Sequence, residues 1–121
     1  MDSLPEDMKR DVVEFQQLQQ QLQMVAMQRQ QSSLALAELA KAGEEVAKSS
    51  GKCYRFAGSV MVPKEKAALE AELKEEKESL DLRQGMFQKQ EDKLRERLST
   101  LQKKFAEFST KQQKPSGKEA A

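Results

Sequence analysis

Few residues in this chain could do covalent or acid–base chemistry. There is one cysteine, Cys53, there is no histidine or tryptophan, and the carboxylates crowd into stretches such as EAELKEEKESLD. A catalytic thiolate needs a base or a cationic neighbour to hold it ionised, and with no histidine in the chain Cys53 reads as a small apolar residue. Paired carboxylates can act as general acid and base, but here they alternate with lysines at helical spacing, which describes a solvated helix face. Cys53 has no companion at metal-ligand spacing. Gly43, Gly51, Gly58, Gly85 and Gly117 stand singly, so no glycine-rich loop exists to cradle phosphate. The expectation is a protein that is not an enzyme and uses no cofactor and no metal. Its working chemistry is contact between apolar surfaces.

The composition limits how such surfaces can be arranged. With 121 residues, 37% hydrophobic, 5% aromatic and 34% charged, the chain can bury a thin seam but not a thick interior. Lys and Arg number 21 against 20 Asp and Glu, leaving +1, too little to gather nucleic acid or an anionic membrane. No stretch approaches the roughly 20 apolar residues of a membrane span. The N-terminal MDSLPEDMKR is acidic and polar where a secretory signal is basic and then apolar. Together with the single cysteine, this reads as a reduced, cytoplasmic, soluble protein.

Two long helices would position the apolar residues. The first spans about residues 6–48, with Phe15, Leu22, Arg29, Leu36 and Gly43 at a and Leu18, Val25, Ser32, Leu39 and Val46 at d. This is a coiled-coil seam interrupted by Arg29 and Ser32. The Gln-rich run FQQLQQQLQMVAMQRQQ keeps apolar residues at helical spacing, which favours helix over a disordered low-complexity tract. Pro63 suits the first position of a second helix over about 63–108. Its d positions, Leu73, Leu80, Phe87, Leu94, Leu101 and Phe108, are all apolar. Its a positions, Glu70, Lys77, Gln84, Glu91, Leu98 and Phe105, become apolar only in the last two heptads. Glu70 with Lys74 and Glu91 with Arg95 form favourable i,i+4 pairs. At 1.5 Å per residue each helix measures ~65 to 70 Å, and equal lengths with a short connection imply antiparallel pairing. Residues 109–121, STKQQKPSGKEAA, lack an apolar period and read as a mobile polar tail.

Between the helices lies GKCYRFAGSVMV. Its aromatic and β-branched residues predict strands over 52–56 and 60–62, turning at Ala57, Gly58 and Ser59 with Gly58 at positive φ. Tyr54 and Phe56 share a face of the first strand and Val60 and Val62 a face of the second, while Cys53 and Met61 point the other way. An isolated two-stranded hairpin is marginal in water and leaves two edges unpaired. Cys53, Tyr54, Phe56, Val60, Met61 and Val62 are therefore expected to join subunits, with hairpins pairing into a closed sheet. The expected fold is mainly α, a long antiparallel coiled-coil helical hairpin with one β-hairpin at the bend that joins an oligomeric β-barrel.

In this order, Leu4-Pro5, VEFQQLQQQLQ, CYRFAGSVMV and LRQGMFQKQEDKLRERLSTLQ resemble a β-class subunit of prefoldin over about residues 4–108, as one domain spanning 1–108. LPEDMKRDVVEFQQLQQQLQ resembles archaeal β subunits and eukaryotic subunit six, and KCYR with the following Gly resembles eukaryotic subunit two. The residues before the hairpin, EEVAKSSGK, and Phe56 depart from the family pattern. The resemblance implies a hexamer of two α and four β subunits, joined through a double β-barrel. It also implies capture of unfolded proteins at the coil tips without nucleotide hydrolysis, and delivery to a group II chaperonin. Apolar residues crowd the end of the coil that holds both termini, so Leu4, Met8, Val12, Val13, Leu101, Phe105 and Phe108 are the expected client-binding residues. The competing function is a structural or tethering coiled-coil scaffold, in which the hairpin only turns the chain.

Overall fold

The computed structural model describes residues 4–120, with side chains to Lys111. The elements in order are α1 (Glu6–Lys48), β1 (Cys53–Ala57), β2 (Val60–Lys64) and α2 (Lys66–Ala120), so the fold is mainly α with one antiparallel hairpin. Two compact units divide it: Met1–Ala26 with Lys89–Ala121, and Met27–Gln88.

In the first unit, α1 begins beside Pro5, whose carbonyl accepts the Lys9 N–H at 3.0 Å. Glu6 and Asp7 in the first turn complement the positive end of the helix dipole. Leu101 is fully buried, and Met8 and Leu98 are nearly so. Phe15 and Phe105 meet edge to face, with ring centroids 5.6 Å apart and planes at 68°. Burying a leucine such as Leu101 contributes about 2 kcal/mol, so a few such residues hold this short seam.

In the second unit, α1 ends where the Ser49 N–H turns back to the Val46 carbonyl at 3.1 Å. The last carbonyls of a helix have no partner within it, and Lys66 supplies one, its Nζ donating to Ala47 O at 3.1 Å and Ser49 O at 2.9 Å. The start of α2 lies later than the sequence pattern placed it. Pro63 is in β2, Glu65 accepts the Leu69 N–H at 2.9 Å, and the helix begins at Lys66. The strand can hold Pro63 because of the register. Gly58 has φ of 65° and Ser59 is not at positive φ, which describes a two-residue type II′ turn. Such a turn closes on a hydrogen-bonded pair, Ala57 with Val60. By alternation Arg55–Val62 and Cys53–Lys64 are also bonded pairs, whereas Phe56–Met61 and Tyr54–Pro63 are not. Pro63 thus stands where its missing N–H deprives the ladder of nothing. Ala57 belongs to the strand, not the turn, and β1 starts at Cys53, not at residue 52. At its other end α2 continues past residue 108 to Ala120.

The frame of α2 also differs from the expected one. Glu70 and Lys77 are exposed, while Leu69 is only 4% exposed and Glu76 is half-buried. The inner stripe is therefore Leu69, Leu73, Glu76 and Leu80. It then steps by four residues to Gln84, where three would continue the pattern, and from Gln84 onward follows the expected positions. A step of this kind locally unwinds a coiled coil. It coincides with a polar layer in which Gln84 Nε2 donates to Ser33 Oγ at 2.5 Å, and Ser32 is buried with no hydrogen-bond partner for its Oγ.

Candidate functional site

The hairpin has two unlike faces. Cys53 is buried, and Arg55, Val62 and Lys64 on the same face are half-buried. Tyr54, Phe56 and Met61 on the other are 49%, 69% and 53% exposed. Alternation accounts for this pattern, since neighbours on a strand point to opposite sides. The register sets Met61 beside Phe56, and sets Val60 and Val62 on the face that carries Cys53. Val60, next to the turn, is also exposed.

Charge anchors the inner face. Arg55 Nη1 donates to Glu72 Oε2 at 3.1 Å, its Nη2 bonds Glu76 Oε1, and Lys64 Nζ donates to Glu72 Oε1 at 2.9 Å. Glu72 and Glu76 are one helical turn apart on α2, so one guanidinium can span both. The Lys64 bond first, and the Arg55 bond after it, hold the Glu72 carboxyl below the usual carboxylate range; the Glu76 bond is the main influence raising Arg55. These groups are about one-third exposed, so the cluster orients the hairpin more than it stabilises the fold. Sequence reasoning passed over Arg55, Lys64, Glu72 and Glu76. The available signal was one cation on each strand, at positions the register sets on one face, preceding two carboxylates at i,i+4. The buried Cys53 thiol donates to Ser49 Oγ at 3.7 Å.

On the open side, Tyr54 and Phe56 border a groove of ≈ 480 Å³ together with Leu39, Leu69 and Leu73. Small residues make room for it: Ala35 and Ala42 stand along α1 where larger side chains would fill the seam.

The seven residues expected at the coil end all lie in the first unit, with different environments. Met8 and Leu101 are buried within the seam; Leu4, Val12, Phe105 and Phe108 are half-buried; Val13 faces outward, 49% exposed. Val12 and Val13 diverge by about 100° because they are consecutive in a helix. Arg97 and Glu14 close one side of this end through two hydrogen bonds, and Lys104 reaches Asp11 Oδ2 at 2.7 Å. The Arg97 hydrogen bond is the chief reason the Glu14 carboxyl lies below its ordinary value.

Two long helices joined through a single hairpin, with an exposed apolar face on that hairpin, restrict the relatives this chain can have. The sequence pattern of the prefoldin subunit family matches residues 9–112. The chain belongs to the prefoldin family. It is 38% identical over 107 residues to prefoldin subunit beta of Archaeoglobus fulgidus, covering 87% of this chain and 92% of that one. To prefoldin subunit beta of Saccharolobus islandicus it is 34% identical over 112 residues, covering 91% and 89%. The crystal structure of the prefoldin beta subunit from Thermococcus strain KS-1 superposes with a TM-score of 0.76 at 33% identity, covering 86% of this chain and 93% of that one. The β-class reading and the helix–hairpin–helix order therefore hold, and prefoldin subunits are chaperone proteins. Among the described residues no helix is long and apolar enough to cross a membrane.

Proposed function

We propose that this chain is the β-type subunit of a cytoplasmic, ATP-independent holdase that binds unfolded proteins at its coil ends and delivers them to a group II chaperonin. In this reading it assembles with prefoldin α-type and other β-type subunits into a hexamer, through hairpins that pair edge to edge into β-barrels. It needs neither nucleic acid nor membrane.

The observation that carries the reading is the hairpin. Its inner face is tied to α2 by Arg55 and Lys64, while Tyr54, Phe56, Val60 and Met61 stay exposed beside two unpaired strand edges. A lone pair of strands presenting that surface gains stability by joining others. At the coil end, the exposed Val13 and half-buried Phe105 and Phe108 offer apolar area for weak contact with many sequences, and several coils acting together supply avidity.

The test mixes the full chain with a prefoldin α-type subunit and measures native mass, then asks whether the assembly suppresses aggregation of a denatured client and passes it to a group II chaperonin. A hetero-hexamer that suppresses aggregation supports the reading. A monomer or helical dimer indifferent to the α subunit supports a scaffold instead.

A further inference from the structure

The two flanks of the coil in the first unit have different chemistry. On one flank Glu14 is paired with Arg97, and Lys104 with Asp11. On the other, Gln16, Gln19 and Gln23 form a row on α1 facing Arg95, Ser99 and Gln102 on α2. The heptad explains the division: with Phe15, Leu22 and Leu98 at a, Glu14 and Arg97 fall at g, while both rows fall at b and e. The rows border a groove of ≈ 700 Å³ floored by Leu22 and Leu98. Arg95, the groove's one cation, is bonded to Glu91 at 3.0 Å.

The longest uncharged run of α1 passes through this row. No Asp, Glu, Lys or Arg occurs from Gln16 to Gln28 in a chain that is 34% charged, so solubility is served elsewhere by other residues. A glutamine side chain carries an acceptor oxygen and two donor hydrogens, the same functions that a peptide group presents. Positions 16, 19 and 23 rise by ~4.5 and ~6 Å along the helix, and an extended chain rises ~3.3 Å per residue, so flexible amides can reach successive main-chain groups. Leu22, half-buried, is the apolar surface the groove offers to side chains of an unfolded chain, with Leu98 nearly buried beneath it.

We infer that this groove binds the main chain of extended, unfolded polypeptide, with the glutamine rows hydrogen-bonding backbone N–H and C=O groups over an apolar floor. The inference rests on the holdase reading and adds to it a mode of recognition and a second surface, set on the flank of the coil and not at its end. Every sequence has the same backbone, so recognition of this type is indifferent to client identity. Each flexible glutamine loses rotamer freedom on binding, which keeps each contact weak and the client releasable.

The experiment measures binding of the full chain to a short, uncharged, fluorescently labelled peptide of Ala, Leu, Ser and Thr, and to its counterpart N-methylated at alternate residues. Gln19→Met with Gln23→Met keeps side-chain length and helix propensity while removing the amides. Gln17→Met with Gln21→Met, on the other flank, is the control, and circular dichroism verifies the helices. Lost hydrogen bonds at two positions predict binding about tenfold weaker for the groove variant and for the methylated peptide, with the control unchanged. Equal or tighter binding by the groove variant, or no binding of the peptide by the parent chain, overturns the inference. Aggregation suppression by the parent assembly is scored separately. Suppression with an inert groove leaves the holdase standing and removes the groove, whereas peptide binding without suppression removes the holdase.

Discussion

Arg97 grips Glu14 through two parallel hydrogen bonds, Nε to Oε2 at 2.7 Å and Nη2 to Oε1 at 2.9 Å, between residues 83 positions apart in the chain. This fork ties α1 to α2 beside the Phe15–Phe105 contact. Its geometry is bidentate, so a lysine in place of Arg97 would keep the charge and lose the fit.

That pair makes stability depend on pH in a definite direction. The folded-state Glu14 pKa is depressed, so its contribution is present above the ordinary glutamate value and is lost as pH falls through the lower, folded value. Thermal melts taken from neutral pH downward should show an acid-side loss that Arg97→Met reduces, and the parent's advantage over that variant should shrink in high salt. Parallel curves for the two proteins at all pH values would contradict this.

Buried Ser32 offers an opposite case. Its hydroxyl has no hydrogen-bond partner in the polar layer, and alanine is the better helix former. Ser32→Ala should raise stability by about 1 kcal/mol, read as a higher melting temperature. A lower melting temperature would show that the hydroxyl is satisfied in solution.

Leu101 is the most tightly enclosed side chain in its unit. Leu101→Ala should cost about 2 to 5 kcal/mol by loss of burial and creation of a cavity. Val13→Ser, on the outward side of the same coil end, should leave the melt unchanged and weaken client capture by the assembly. Phe105→Ser with Phe108→Ser should weaken capture further while the assembly still forms. Undiminished aggregation suppression in all of these assembled variants would rule out the coil end as the client surface.

Val60→Asp with Val62→Asp places charge on the hairpin and should release the chain from its assembly while far-ultraviolet circular dichroism keeps its helical form. Native mass spectrometry reads the outcome, and an unchanged assembly mass would refute the role of the hairpin.

Cys53 is buried against the Ser49 hydroxyl, with no histidine in the chain to activate it. Cys53→Ala should preserve assembly and client capture. Loss of capture with assembly intact would assign the thiol a role of its own.

Much of this protein is fixed along single elements, and there the sequence suffices. The α1 seam from Phe15 to Val46 follows from side chains recurring at helical spacing, and the strands and Gly58 turn follow from β-branched and aromatic residues around a glycine. The tertiary structure decided whatever depends on how one element meets another. Leu73 and Leu80 fit a frame with Glu70 and Lys77 equally well as one with Leu69 and Glu76. Only packing against α1 selects the second, burying Leu69 and turning Glu70 outward. Pro63 looks like a helix start in the sequence, but pairing opposite Tyr54 makes it a strand residue at a position that needs no N–H. Arg55 and Glu72 are 17 residues apart on different elements, so the period of neither element pairs them. Their bond exists because strand alternation and helix rotation bring the two side chains to one place. Likewise, the glutamines are legible in the sequence as helix, but they line a groove only because α2 sets Arg95, Ser99 and Gln102 across from them. A period read along one chain gives the spacing of a stripe, whereas its rotation and its partner are set by the second surface that covers it.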